Sequence, residues 1–233
     1  MNTYLLTTVA LGLIIGAVTV TAADKPDLKD PKHRASYAIG IDIGASFKKQ
    51  ELDIDVNTLA AGIIDSFDGK AALTDAEIKE TLAAFKTTMM GKMEAKAKVA
   101  GEKNVKDGET FLADNAKKEG VKSTATGLQY KVLKSGKGKT PKATDTVKTH
   151  YHGRLIDGTV FDSSVDRGEP VSFPVNQVIP GWTEALQLMK EGDKWQLYIP
   201  SKLAYGERGA GGKIGPNSTL IFDVELISIE AGK

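Results

Sequence analysis

The chain has 233 residues, with 31 basic and 30 acidic side chains and a formal net charge of +1, so nothing draws the whole molecule toward nucleic acid or anionic lipid. It contains no cysteine, which excludes disulfides, thiolate metal sites, thiol catalysis and anchoring through an acylated cysteine. A content of 41% hydrophobic and 26% charged residues is that of a globular protein, long enough for one large domain or two small ones.

Residues 5–20 are apolar and uncharged. That stretch is shorter than the roughly 20 residues a membrane span needs. Small residues follow at Thr21, Ala22 and Ala23, and charge begins at Asp24. The pattern predicts a secretory signal at 1–23, cleaved after Ala22 or Ala23. The alternative is an uncleaved anchor, since no Lys or Arg precedes Leu5.

From about 30 to 118 the periodicity is helical. Tyr37, Ile41 and Ala45 recur at helical spacing, and Asp55 is placed to cap a second helix carrying Leu59, Ile63, Ile64 and Phe67. Asp68-Gly69 interrupts. Thr74-Asp75-Ala76-Glu77 has the form of a capping box, in which the Thr oxygen accepts the Glu77 amide proton and Glu77 reaches back. An apolar stripe follows at Ile78, Leu82, Phe85, Met89 and Met93. A helix continuing to 118 would be about 65 Å long. Gly91, Gly101 and Gly108 each weaken it by about 1 kcal/mol relative to Ala, so a break or bend is expected near one of them. So long a helix has little core of its own. It is expected to be a connecting arm or to pack on another chain. The cluster Met89, Met90, Met93 fits either ordinary packing or an adaptable partner surface.

Near Gly120 the period changes. Leu128, Tyr130 and Val132 alternate, as do Val147, Thr149 and Tyr151, and later Val171, Phe173 and Val175. Pro180-Gly181 opens a helix-length segment from Trp182 that Glu191-Gly192-Asp193 closes. Trp195, Leu197 and Ile199 form one more strand, and Leu220, Phe222, Val224 and Leu226 the last. Several strands around one short helix make an antiparallel α+β module. The Lys-rich stretch 131–142 reads as a solvated loop.

Three apparent motifs fail on inspection. Asp53, Asp55 and Asn57 begin like a calcium loop, but Thr58 and Ile64 stand where Gly and Glu are required. Gly212-Lys213 resembles a phosphate cradle, but Glu207 and Ile214 break the pattern. His150 and His152 share a strand face without a third ligand at useful spacing, so a polar face beside Tyr151 is the simpler reading.

Five segments, in order, carry a family resemblance. They are Tyr151-His152-Gly153-Arg154-Leu155, Asp157-Gly158-Thr159-Val160-Phe161-Asp162-Ser163-Ser164, Val178-Ile179-Pro180-Gly181-Trp182, Ala204-Tyr205-Gly206, and the run from Pro216 through Leu226. Over residues 127–230 the chain resembles FKBP-type peptidyl-prolyl cis-trans isomerases. Its helical front half and the Gly127-Leu128-Gln129-Tyr130 entry are similar to the Mip and FkpA branch of secreted bacterial members.

The resemblance implies an α+β fold: an N-terminal helical dimerisation region (24–73), a long connecting helix (74–119), and a twisted antiparallel sheet around a short helix (120–233). It implies a pocket of Tyr151, Phe161, Asp162, Arg167, Val178, Ile179, Trp182, Tyr205, Ile214 and Phe222. Trp182 would floor it, and Tyr151, Phe161 and Phe222 would wall it. The Ile179 N–H and Tyr205 hydroxyl would hold substrate carbonyls, and Asp162, steadied by Arg167, would face the turning imide. No cofactor, metal or nucleic acid is implied. The implied partners are proline-containing polypeptides, a second copy of the chain and macrolides of the tacrolimus or rapamycin type. The implied location is the periplasm, with possible outer-membrane or surface association. The alternative function is a peptide-binding chaperone or surface-associated virulence-type factor with incidental isomerase activity. Two departures, Val171 in place of a ring and the loop 207–213 with Ala210 and Lys213, bear on specificity.

Overall fold

The computed structural model describes residues 27–230. The expected signal segment at 1–23 lies outside them. The chain divides into two units between Ala76 and Glu77.

The first unit holds two helices. In α1 (Pro31–Lys49), Asp30 accepts hydrogen bonds from the Lys32 and His33 N–H groups at 2.8 and 3.1 Å, and Pro31 occupies the first turn. There its missing N–H is no loss. In α2 (Val56–Asp68), Asp55 accepts from the Thr58 N–H at 2.7 Å. That cap is the work of the residue that resembled a calcium ligand. Gly69 ends α2 at φ +67°, a left-handed conformation that favours glycine. Neither helix has a buried residue, and Phe67 is 90% exposed.

Helix α3 (Asp75–Asn115), which belongs to the second unit from Glu77 onward, runs unbroken for 41 residues, about 60 Å. The expected break is absent. Two of the three glycines are held by packing: Gly101 and Gly108 are buried against the segment 216–219. A Cβ on Gly108 would lie 2.3 Å from the Thr219 Oγ1, and one on Gly101 would lie 3.3 Å from Pro216 and Asn217. Glycine permits a close approach here that outweighs its poor helix propensity. Buried and half-buried residues at 101, 104, 108, 111 and 115 form one stripe. Asn104 donates to the Pro216 carbonyl at 2.8 Å, Phe111 meets Tyr198 with ring centroids 6.0 Å apart, and Asn115 donates to Gln129 at 3.0 Å. The last third of α3 is therefore part of the sheet domain. Among the described residues no helix is long and apolar enough to cross a membrane.

Seven strands form one antiparallel sheet: β1 (Val121–Ser123), β2 (Gln129–Lys134), β3 (Thr146–Leu155), β4 (Val160–Ser163), β5 (Val171–Pro174), β6 (Lys194–Ile199) and β7 (Leu220–Glu230). Their order is β1-β2-β6-β7-β3-β4, with β5 also on β3. Strand β3 pairs β7 along its length, β5 at its start and β4 at its end, with irregularities at Lys148/Thr149 and Gly153/Arg154. Such bulges bend a strand and strengthen its twist. The bent sheet wraps α4 (Pro180–Leu186). Trp182, Ala185 and Leu186 are buried with Val147, Leu197, Ile199, Leu220, Phe222 and Val224. Gly181 makes this fit possible, because a Cβ there would lie 2.5 Å from Ile199.

Three boundaries differ from the sequence reading. Val175 leaves the strand and begins a 3-10 turn (Val175–Gln177). Helix α4 stops at Leu186, after which the Leu188 and Met189 N–H groups both return to the Ala185 carbonyl. Residues 131–134 belong to β2, so only the rest of the Lys-rich stretch is loop.

Candidate active site

One end of the sheet, α4 and the two loops beside them enclose a cavity of about 630 Å³. Trp182, on the first turn of α4, lies at its base and is 4% exposed. Three rings stand edge-on around the indole: Phe222 at 5.3 Å between centroids, Tyr151 at 5.5 Å and Phe173 at 5.9 Å, with interplanar angles of 80°, 84° and 81°. Phe161 adds a fourth ring, 5.3 Å from Phe222 at 81°. Edge-to-face pairs of this kind each add about 1 kcal/mol beyond area burial. The rings meet because β3 carries Tyr151 and Gly153, β4 carries Phe161, and β7 carries Phe222 opposite Gly153. A Cβ at 153 would lie 2.6 Å from Phe161 and 2.7 Å from Phe222, so only glycine leaves room for both.

The polar side of the cavity is a three-residue network. Tyr151 donates its hydroxyl proton to Asp162, and Arg167 donates both to Asp162 and, at 2.9 Å, to the Tyr151 oxygen. The guanidinium also lies 5.7 Å from the Tyr151 ring centroid. Burial alone would raise the Asp162 pKa, but the bonds from Tyr151 and Arg167 outweigh it and hold the carboxyl below its ordinary value. Burial, then the bond to Asp162, pushes the Tyr151 hydroxyl up despite Arg167. Burial and the nearby Asp162 charge push Tyr205 up as well, so both phenols stay protonated at neutral pH. The Tyr151 N–H donates to the Ser164 Oγ at 2.8 Å, tying the loop that carries Arg167 back to β3.

Nine of the ten residues singled out in the sequence line the cavity: Tyr151, Phe161, Asp162, Val178, Ile179, Trp182, Tyr205, Ile214 and Phe222. Arg167 stands behind the wall and reaches it through Asp162. The Ile179 N–H is committed to no bond among the described residues, while its carbonyl accepts from Trp182 and Thr183 at 2.9 and 3.0 Å. Sequence reasoning missed Phe173 and Gln177 as wall residues. Phe173 alternates with Val171 on β5, which showed that they share a face but not that the face ends at the cavity. Val171 packs on the core. Ala210, Gly211 and Lys213, in the loop marked as a departure, also line the cavity. His150 and His152 meet Ser164 and Ser163 at 3.1 and 3.0 Å, a polar face as expected.

The walls can hold a small ring and exclude water from it. The free N–H, the Tyr205 hydroxyl, the Asp162 carboxylate, the Gln177 amide and the Lys213 ammonium are polar groups available at its edge. The lining residues include no Ser, Thr, Cys or His.

Residues 137–227 match the family profile described as FKBP-type peptidyl-prolyl cis-trans isomerase, and residues 32–132 match the domain amino terminal to it. The chain is 51% identical over 215 residues to the FKBP-type isomerase FkpA of Aeromonas hydrophila, covering 89% of this chain and 80% of that one. It is 44% identical over 231 residues to the outer membrane protein MIP of Legionella longbeachae, covering 99% of each. The crystal structure of FkpA from Escherichia coli superimposes with a TM-score of 0.67 at 43% identity, over 88% of this chain and 99% of that one.

Proposed function

The chain belongs to the FKBP-type peptidyl-prolyl cis-trans isomerases, and from that premise we propose which groups perform the isomerisation. Rotation about an X-Pro bond must break amide resonance, and unaided it takes tens to hundreds of seconds. No covalent bond changes. Water stabilises the planar, charge-separated amide, so transfer into the ring-lined cavity disfavours that ground state relative to the twisted one. Trp182 supports the proline ring from below, and Tyr151, Phe161 and Phe222 exclude water. The Ile179 N–H and the Tyr205 hydroxyl hold the flanking carbonyls while the imide turns. The Asp162 carboxylate favours the twisted imide through its carbonyl carbon, which becomes more electron-poor once the nitrogen lone pair no longer delocalises into it. A millionfold acceleration requires about 8 kcal/mol, the order that desolvation and orientation supply together. Macrolides of the tacrolimus or rapamycin type would occupy the same cavity.

The observation that carries this assignment is an ionised carboxylate, held by Tyr151 and Arg167, on the edge of a cavity floored and walled by aromatic rings. Hydrogen bonds to charged groups contribute about 1.5–3 kcal/mol. Asp162→Ala should therefore lower kcat/KM on a proline peptide roughly 10- to 100-fold; wild-type turnover by this variant would remove Asp162 from the site.

The Asp162 pKa is depressed in the fold, so its stabilising ion pair is fully present above the ordinary carboxylate value. The contribution is lost as pH falls through the lowered one. The kcat/KM profile should stay flat from pH 8 down to about 5 and decline only below about 4. Arg167→Met, which removes one of the two holding bonds, should move the decline upward. An unmoved midpoint contradicts the network.

We further propose that two copies associate through α1 and α2. Tyr37, Ile41, Ile63, Ile64 and Phe67 are exposed there, and patches of that kind mark interaction sites. Phe67→Asp should weaken the dimer at least about 10-fold in sedimentation velocity. A dimer of undiminished strength would move the interface elsewhere. A holding role toward unfolded chains is the second reading, favoured by the same exposed surface. It predicts that Asp162→Ala still suppresses aggregation of a client. The relative named as an outer membrane protein supports an envelope location after cleavage past Ala22 or Ala23, which the mass of the exported protein tests.

A further inference from the structure

We propose that Lys213 makes the enzyme prefer substrates with an acidic side chain next to the isomerising proline. The inference rests on the assignment of the aromatic cavity as the proline site.

The backbone at Lys213 is set by a small hairpin. The Ala210 N–H donates to the Ile214 carbonyl at 2.8 Å, and the Ile214 N–H returns to the Ala210 carbonyl at 3.0 Å. Between them stand Gly211 and Gly212, at φ +59° and +70°. Side chains other than glycine rarely adopt two such angles in succession. The buried Ile214 anchors the returning arm in the cavity wall. The turn thus fixes Lys213 on the rim, where the resemblance had marked the loop as unusual without saying what the change does.

The electrostatics point one way. Of the residues lining the cavity only Asp162 and Lys213 are charged. Asp162 is already answered by Arg167 and Tyr151. Lys213 has no hydrogen bond or ion pair among the described residues. Glu207 and Arg208, at the start of the same loop, do not line the cavity. A bound peptide buries its proline among the rings, so its neighbouring residues must cross the rim. An acidic side chain there meets an unpaired ammonium beside a low-dielectric wall, where the attraction is screened less than in water. A basic side chain meets a like charge. Amide-bearing and apolar side chains meet neither.

The test uses the full-length protein and two series of short peptides, with Glu, Gln or Lys placed before the proline in one series and after it in the other. Isomerisation is followed by exchange NMR, so that no coupling protease adds its own charge preference. In at least one series the ratio of kcat/KM for Glu over Gln should be about two- to fivefold at low ionic strength, the range of a partly exposed ion pair. Lys should fall below Gln. The ratio should approach one at about 1 M salt, where the Debye length is about 3 Å. Lys213→Met should flatten the ranking and Lys213→Glu should invert it. A wild-type ratio of one in both series, or a ranking that Lys213→Met leaves unchanged, overturns the inference. Failure of the cavity assignment reads differently: Asp162→Ala would then leave the turnover of every peptide unaltered.

Discussion

The apolar segment of α3 and the packed segment of α3 are different segments. Residues 78–99 carry Ile78, Leu82, Phe85, Met90, Met93 and Val99, all exposed. Residues 101–115 carry Gly101, Asn104, Gly108 and Asn115 at the positions that meet the sheet domain. Hydrophobicity would place the contact on the first segment, and it lies on the second. Two forces account for this. The second segment is held by close approach and by amide hydrogen bonds, which need small or short polar side chains. The first keeps an apolar stripe with nothing described against it, which is the composition of a surface that meets a partner.

The largest test of that contrast is Gly108→Ala. The added methyl would start 2.3 Å from the Thr219 Oγ1 and 3.3 Å from its Cβ, so the Thr219 side chain must leave its rotamer or α3 must move off the segment that carries it. Overpacking of this kind costs about 1–3 kcal/mol, more than the roughly 1 kcal/mol that Ala gains over Gly in a helix. The urea midpoint of the sheet domain should fall. An unchanged or raised midpoint would mean that α3 does not rest on this face.

Much of the sheet domain was legible because its strands alternate and its turns carry glycine. Leu220, Phe222, Val224 and Leu226 gave β7 directly, and the five family segments gave eight of the cavity residues, with Ile214 in the loop between the last two. What stayed hidden depends on contacts between segments far apart in sequence. Gly101 and Gly108 read as weaknesses because propensity treats a helix alone, whereas Pro216 and Thr219 decide their role. Phe173 read only as a strand residue and Gln177 gave no signal, because the sheet must curl before β5 and the turn after it face Trp182. Arg167 was identified, but its place behind the wall follows from the turn that carries it and not from its residue type.

Asn104 offers the next test, a smaller one, of whether the packed end of α3 serves the cavity. Its amide donates to the Pro216 carbonyl at 2.8 Å and approaches the Ser218 Oγ at 3.4 Å. Pro216 stands two residues after Ile214, which lines the cavity. Asn104→Ala should cost about 1 kcal/mol of stability for the lost bond. It should also raise KM about two- to fivefold with little change in kcat, because the loose wall weakens binding and not the chemistry. Asn104→Ser, which keeps a donor, should restore part of the KM. A stability loss without a KM change would make the contact purely structural.

The smallest effect is expected at Gly91, and its sign matters more than its size. Nothing lies within 4 Å of a Cβ built there, so Gly91→Ala should add only helix propensity, about 0.5–1 kcal/mol in favour of the fold. Hydrogen exchange of the amides at 85–95 should slow by the corresponding factor of roughly two to five. Gly91→Ala and Gly108→Ala would then differ in sign for the same chemical change in the same helix. Faster exchange in Gly91→Ala would instead mean that another chain packs closely on this segment, as α3 itself packs on the sheet at Gly108. The exposed stripe would then share the close-approach mechanism of the packed one, and the contrast between the two halves would lie only in whose surface they meet.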